Sequence, residues 1–554
     1  MVALTVEQQS TIQEIVTPDH ARFDVRERRL YSHDTGVLPS MFQPLAGPSL
    51  ADGVAQPQSE DQVARIARFA ASQGIPLVPR GKGTAGYGGA IPAHGGLVLD
   101  LTHLKGLIEI DSERLVARVQ AGTVWKDLDA TLSERGFALC LYPTSAPAST
   151  VGGWLAQGGA GIGSHAYGWF RDNVVSARVV GGDGIVRIVE GKDLLAVSDA
   201  EGTTGIITEV TLRIRPAVVE DVLAISFTRS PTLAQAIHRI SAERIPIWSL
   251  SFLNPTMAHL KNIGPPKTHH GHPVHELMAR LPEDAYTLLI AFDAESRDLV
   301  RDRIGRLVDD LGGKRLSTLV ATREWEERFK PMRLKRLGPS IIPAEVVVPL
   351  VELAGALDEL TDSIHAPLAI EGTSVLGEEI VLLGFIPHDE RTVGYNFGYG
   401  FALSAIAIAE RHGGRAYSTG RYFGHKADSV LGEDRIRQIK ARHASVDPAN
   451  ILNPGKVVFG NGAIGAAIHL AGTFEPVVWG AANLFGRPAE PVERKAPAHG
   501  FPADVASYAF ACAQCGYCVD SCTLYQGRGW ESASPRGKWS FLKDVLEGRD
   551  KFDQ

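Results

Sequence analysis

The chain has 554 residues, 44% hydrophobic and 21% charged, which excludes a disordered, collagen-like or membrane-spanning polypeptide. Its 56 Lys and Arg against 63 Asp and Glu leave a net charge of −7, so no basic excess marks a nucleic-acid partner, whose binding depends on neutralising phosphates. The 58 glycines exceed the ~7% average and cluster, which points to bare backbone cradling a phosphorylated ligand. Residues 1–47 read as a polar helical extension that ends in the turn-rich Tyr31-Ser-His-Asp-Thr-Gly36. The opening MVALTVEQQS has no charged region followed by an apolar run, so a cytoplasmic location is expected.

From Gln56 the pattern becomes regular. Ser59-Glu-Asp-Gln62 reads as a capping box, Val63, Ile66 and Phe69 recur at helical spacing, and Gly74 stops the helix before the strand-like Ile75-Pro-Leu-Val-Pro79. Leu97-Val-Leu-Asp-Leu101 and Leu115-Val-Ala-Arg-Val119 read as strands, followed by a helix capped by Thr123 and ended by Gly136. Alternating strands continue to about Pro216, which makes 48–217 the first domain. Helices over 232–244, 296–312 and 349–364 and strands near 222–228, 286–292 and 380–386 predict an α+β second domain over 218–456. Residues 457–503 read as a linker or docking segment. The apolar stretch 463–485 is broken by His469, Glu475 and Pro476, which favours packing on protein over a membrane span.

The last segment, 504–554, carries Cys512, Cys515, Cys518 and Cys522; the fifth cysteine, Cys140, is remote. Four cysteines in eleven residues are not a disulfide framework. Their C-x2-C-x2-C-x3-C spacing is that of a bacterial ferredoxin [4Fe-4S] site, whereas zinc sites normally use two separated pairs.

Three further constellations carry chemistry. The loop Val78-Pro-Arg-Gly-Lys-Gly-Thr-Ala-Gly-Tyr-Gly-Gly89 follows a strand, and its successive N–H groups can form a nest for a diphosphate. It is neither a Walker A loop nor a dinucleotide-binding GxGxxG unit. The second constellation is Tyr142-Pro-Thr-Ser-Ala-Pro with Thr150-Val-Gly-Gly-Trp-Leu-Ala-Gln-Gly-Gly-Ala-Gly161 and Tyr167-Gly-Trp-Phe-Arg-Asp-Asn-Val174. The third is Asp199-Ala-Glu-Gly-Thr-Thr-Gly-Ile206.

In order and spacing these blocks resemble the FAD-binding domain of the vanillyl-alcohol oxidase and p-cresol methylhydroxylase (PCMH) superfamily. The resemblance implies an α+β protein: a two-subdomain FAD-binding domain, an α+β cap and a small helical 4Fe-4S segment. It implies that Pro79, Arg80, Gly81, Lys82, Gly83, Thr84, Ala85 and Gly86 hold the pyrophosphate. Pro143, Thr144 and Ser145, with Thr150, Val151, Gly152 and Gly153, would run beside the flavin ring and ribityl chain. Gly159, Gly161, Arg171, Glu201, Gly202, Ile206 and Ile207 would line the rest. Position 84 is Thr where tethering members have His, so non-covalent FAD is expected, with His165 the nearest alternative anchor.

Fusion to a cluster segment makes the chain similar to the glycolate oxidase and D-lactate dehydrogenase branch, as do Asp447-Pro-Ala-Asn-Ile-Leu-Asn-Pro-Gly-Lys456 and Ser534-Pro-Arg-Gly-Lys538. That likeness implies an FAD-dependent dehydrogenase of a small organic acid, of the D-lactate or glycolate type, that passes electrons through the cluster. Thr419 and Gly420 stand where the branch has the Glu and His of its metal motif, and no G-D-G-N-x-H occurs. Tyr422 and His425 are then the candidate bases, and Arg333, with Lys335 beside it, falls where the branch binds the substrate carboxylate. The histidine-rich tract 268–275 is a weaker metal candidate. Because the fourth cysteine of such a run ligates the other cluster in two-cluster modules, the expectation is a separate iron–sulfur subunit carrying a second cysteine run. Through that complex the chain would meet the inner face of the membrane. The alternative reading is an electron-transfer flavoprotein subunit without hydroxy-acid chemistry of its own.

Overall fold

A computed structural model describes residues 4–47, 49–264, 268–269, 272–273, 280–459, 462–488 and 501–551. Ser59 accepts a hydrogen bond from the Gln62 N–H and caps the helix Glu60–Gln73, and Gly74, at φ +64°, ends it. Val63, Ile66, Ala67 and Ala70 are the buried stripe of that helix, which delivers the chain into the strand Leu77–Arg80. This strand and Gly53–Ala55 flank Leu97–Asp100, both in parallel register. The expected extension is part of this sheet: Ala21–Arg22 pairs antiparallel with Gly53–Ala55, and Ile12, Ile15 and Val16 enter the same core.

The second subdomain is antiparallel, in the order Leu107–Asp111, Val116–Gln120, Ile206–Pro216, Val174–Val180, Val186–Glu190, with Phe137–Leu139 on the end of the long strand. The helix Trp125–Ser133 has Val124 at its cap position with no side-chain cap. Thr123, expected there, instead accepts from the Gly106 N–H at 2.9 Å. Thr150 does cap its helix, Val151–Gln157, accepting from the Gly153 N–H at 3.2 Å.

The cap is one eight-stranded antiparallel sheet with Ser249–Leu253, Ala369–Val375 and Glu379–His388 towards its centre and Ser340–Pro349 beside the short edge strand Arg415–Ala416. The helices Ser230–Ala242, Arg297–Leu311, Leu353–Ser363 and Gly400–Arg411 supply its core with Leu233, Ile304, Leu357 and Phe401. The 463–485 stretch forms two helices, Ala463–Thr473 and Glu475–Phe485, whose Ile464, Ile468 and Ala482 join the cap core. Among the described residues no helix is long and apolar enough to cross a membrane. Of the histidine-rich tract 268–275, positions 270, 271, 274 and 275 lie outside the described residues.

The C-terminal segment returns to the start of the chain. Trp530 Nε1 donates to the Asp19 carbonyl at 3.1 Å, the Arg22 guanidinium lies 4.7 Å from the Trp530 ring, and Arg29 pairs with Asp550 at 3.1 Å. This clasp lays the cysteine loop over the edge of the FAD-binding domain.

Candidate FAD and cluster site

Where the strand Leu77–Arg80 ends, the glycine loop turns along the N-terminus of the helix Val151–Gln157 and borders a groove of about 680 Å³ including its mouth. A Cβ at Gly81 would lie 2.3 Å from Thr150 Oγ1, and one at Gly83 would strike the Arg80 guanidinium at 2.3 Å, so only bare backbone fits. Arg80 is 2% exposed and donates to the His33 carbonyl at 2.6 Å. Ser149 Oγ and Glu201 Oε1 are buried without a hydrogen-bond partner, and both residues line this groove. Orphaned groups of this kind are satisfied by a ligand rich in hydroxyl and phosphate oxygens. The residues present therefore fit FAD. Burial pushes the Glu201 carboxyl up to about 8 against the pull of Lys456, so it offers the groove a proton to donate.

The groove opens, through Thr84, Ala85, Ser145, Trp154 and Gln157, into a second cavity of about 1150 Å³ including its mouth. One wall is 143–145, the other the cap sheet with Glu345, Leu383 and Phe385, and the rim carries Lys335, Tyr417, Cys515 and Tyr517. Glu345 lies mid-strand in Ser340–Pro349 and accepts a short hydrogen bond from the Tyr87 hydroxyl. Burial raises its carboxyl to about 7, with the Tyr87 bond opposing. Lys335 is 4% exposed, and its Nζ donates to the Cys512 carbonyl at 2.9 Å.

The cysteine segment is fixed to this site by polar contacts. The Tyr517 hydroxyl donates to the carbonyls of Thr144, at 3.1 Å, and Phe329, at 2.8 Å, joining cofactor domain, cap and cysteine loop. Lys82, in the glycine loop, pairs with Asp520 at 2.8 Å. Arg536 Nη1 donates to the Lys82 carbonyl at 2.8 Å while its other nitrogens grip Glu531. The thiols of Cys512, Cys515 and Cys518 lie close enough for each charge to act on the next, whereas Cys522 Sγ points at the Ala533 carbonyl, 3.9 Å away. Among the described residues no three His, Cys, Asp or Glu side chains are drawn to single-ion distances. The fit to a [4Fe-4S] cluster rests on the donor set, free cysteines on one loop at ferredoxin spacing.

Most residues expected to hold FAD meet here: 79–86, Pro143, Thr144, Ser145, Thr150, Gly153, Glu201 and Gly202 line the two openings, and Gly152 and Ile207 line a smaller hollow behind the glycine loop. Val151 and Ile206 are fully buried in the cores behind, and Arg171 pairs with Asp199 at 3.5 Å instead. Gly159 leaves room for Tyr417, whose hydroxyl would lie 2.4 Å from a Cβ there, and Gly161 donates to Ser164 Oγ. His165 bonds Ser374 at 3.0 Å and is outside both openings.

The three catalytic candidates do not line the cavity. Arg333 turns to Glu327 at 3.0 Å, while Lys335, two residues on, lines the cavity. Tyr422 is buried behind Gly88, and burial pushes its hydroxyl well above the ordinary tyrosine range. His425 lies in a separate hollow with His469, ring centroids 5.2 Å apart. The cause is Gly420, at φ +48°: a Cβ there would lie 2.4 Å from the Tyr87 carbonyl, and the chain turns off beyond it into the short helix Gly424–Lys426. Sequence reasoning missed Glu345, Tyr87, Tyr417, Tyr517 and Ser149. The one available signal was Glu345, a lone acid inside an apolar ten-residue strand.

Comparison with known proteins agrees with this geometry. Residues 51–190 match the FAD binding domain family, 217–376 the C-terminal domain of FAD linked oxidases, and 511–553 a 4Fe-4S dicluster domain. The glycolate oxidase subunit GlcD of Bacillus subtilis is 27% identical over 445 residues, 74% of this chain and 89% of that one. The D-lactate dehydrogenase of Archaeoglobus fulgidus is 32% identical over 222 residues, covering 38% of this chain and 49% of its own. In fold, the chain is similar to p-cresol methylhydroxylase with substrate bound, at TM-score 0.67 and 16% identity over 81% of this chain and 95% of that one. Alkyldihydroxyacetonephosphate synthase gives 0.65 at 17% identity, covering 81% and 85%.

Proposed function

Because the chain is an FAD-dependent oxidoreductase of the FAD-linked oxidase type, with a PCMH-type cofactor domain, an oxidase cap and a 4Fe-4S segment, we propose that it dehydrogenates a small organic acid, foremost a 2-hydroxy acid. The observation that carries this reading is the single cavity shared by the 143–145 wall, Glu345, Lys335 and Cys515. The names of the relatives, a glycolate oxidase subunit and D-lactate dehydrogenases, support the substrate class. FAD held along the groove supplies a hydride acceptor, and a cluster held by the cysteines takes electrons singly.

The chain's own residues have divided tasks. Lys335 holds the carboxylate as a buried point charge. Glu345, ionised above about 7, takes the hydroxyl proton of the substrate, with the Tyr87 hydroxyl fixing its orientation. Met332, Leu383 and Phe385 receive the apolar remainder and exclude water. In this arrangement the missing Glu and His at 419 and 420 are replaced by a carboxylate from the facing strand.

Anaerobic spectra of the purified holoprotein with D- and L-2-hydroxy acids test the reading: one acid is expected to bleach the flavin band. If none does, the chain is instead an electron-transfer flavoprotein subunit, the reading that Thr419 and Gly420 favour. Non-covalent FAD and delivery to a separate iron–sulfur subunit belong to the same proposal. The Cys522 thiol, turned to the Ala533 carbonyl and away from the other three cysteines, and the dicluster description of the matched family support the second. Acid precipitation should release the flavin. A full four-iron cluster in the isolated, monomeric chain would refute the partner.

A further inference from the structure

Lys335 faces two clients. Its Nζ donates to the carbonyl oxygen of Cys512 at 2.9 Å, and its side chain lines the cavity that holds Glu345 and Tyr417. Among the described residues no carboxylate pairs with it directly: Glu390, the acid that acts on it most strongly, is engaged by Lys543 and by Ser340 Oγ. An ammonium on a flexible four-carbon stem can serve the cysteine loop or a cavity anion, and burial at 4% exposure keeps water from screening the choice. Reduction of a cluster on that loop adds one negative charge beside Lys335. A carboxylate in the cavity adds another.

We propose that Lys335 couples the cavity to the redox state of the cluster: substrate anion and reduced cluster compete for one buried positive charge. Electron arrival at the cluster therefore weakens the hold on the carboxylate and promotes release of the oxidised acid. By linkage, an acid bound in the cavity makes the cluster harder to reduce by the same factor. The inference rests on the cavity accepting an organic acid.

The test uses the anaerobic holoprotein and oxalate, a diacid with no hydrogen on carbon to lose. Oxalate binding to the oxidised protein is read from the flavin spectrum. The cluster's midpoint potential is read by EPR during a dithionite titration, with and without oxalate. A roughly tenfold weaker hold on oxalate after reduction corresponds to a fall of about 59 mV for this one-electron couple. The shift should persist in Lys335→Arg and be lost in Lys335→Gln. Oxalate that perturbs the flavin but leaves the cluster potential of the wild-type protein unmoved overturns the coupling and spares the acid-binding reading. Oxalate that perturbs nothing at any concentration overturns both. A full shift retained in Lys335→Gln removes Lys335 from the role.

Discussion

Replacing Arg536 by Met should undock the cluster segment from the FAD loop. Arg536 is 3% exposed and Glu531 4%; Nε and Nη2 grip the two carboxylate oxygens, and Nη1 reaches the carbonyls of Lys82 at 2.8 Å and Gln514 at 3.4 Å. Methionine fills the volume and removes the paired charge, leaving a buried carboxylate whose remaining hydrogen bond comes from Ser534 Oγ, with Lys82 and Arg80 acting on it only through space. Breaking such a pair on one side costs about 3–5 kcal/mol, which at 1.36 kcal/mol per tenfold is roughly 10²- to 10⁴-fold in the docking equilibrium. The loss falls on a contact between segments, so the cap and FAD-binding cores stay folded while 512–536 opens. Burial pushes the Glu531 carboxyl up, yet the adjacent Arg536 outweighs it and holds the group at about 2, below its ordinary 4.5. In the wild type the pair's contribution is complete above about 4.5 and fades as pH falls towards 2. In Arg536→Met the unpaired acid protonates more readily, so the defect should shrink on mild acidification. Hydrogen exchange of the 512–536 amides at pH 7 and pH 5 reads this directly. The double variant Arg536→Met/Glu531→Gln should recover most of the protection, because no isolated charge remains. Unchanged exchange in the single variant, or a double variant no better protected than the single, refutes the reasoning.

Glu345→Gln should slow substrate-dependent flavin reduction by about 10²–10⁴, measured by anaerobic stopped flow; with Glu345 at about 7, the wild-type rate rises with pH through that value and the variant's does not. Gly81→Ala puts a Cβ 2.3 Å from Thr150 Oγ1, which cannot swing away without uncapping the helix behind it, so the variant should purify without the flavin band. His425→Ala should reduce its flavin at the wild-type rate, since the ring lies in a hollow of its own; a large loss would return it to the catalytic centre.

The cofactor groove was legible because its requirement is local. A diphosphate nest needs consecutive residues without side chains, and Gly81, Gly83, Gly152 and Gly153 write that need into two short runs. The substrate cavity is assembled across the chain: Tyr87 from the FAD loop, Glu345 from a long cap strand, Tyr417 after the helix Gly400–Arg411, Cys515 and Tyr517 from the cluster segment. No local pattern announces such a meeting. His425 was misplaced because nearness in sequence to a family motif stood in for nearness in space, and one left-handed glycine, Gly420, breaks that equivalence. Thr123 misled for a related reason. Its hydroxyl is a good cap, but the Gly106 N–H of another segment claims it first.

The clasp between Trp530 and Asp19 also bears on biosynthesis. Its hydrogen bond joins positions 511 residues apart, and further contacts bring Arg29 to Asp550 and Ser532 to Glu27. On the ribosome, the helix Val25–Leu30 waits until the cysteine segment has been made before its outer face finds these partners. The glycine loop is meanwhile open on the side that Lys82 and Asp520 later close. Synthesis thus orders the two: the glycine loop is made long before the cysteine segment whose Asp520 covers it.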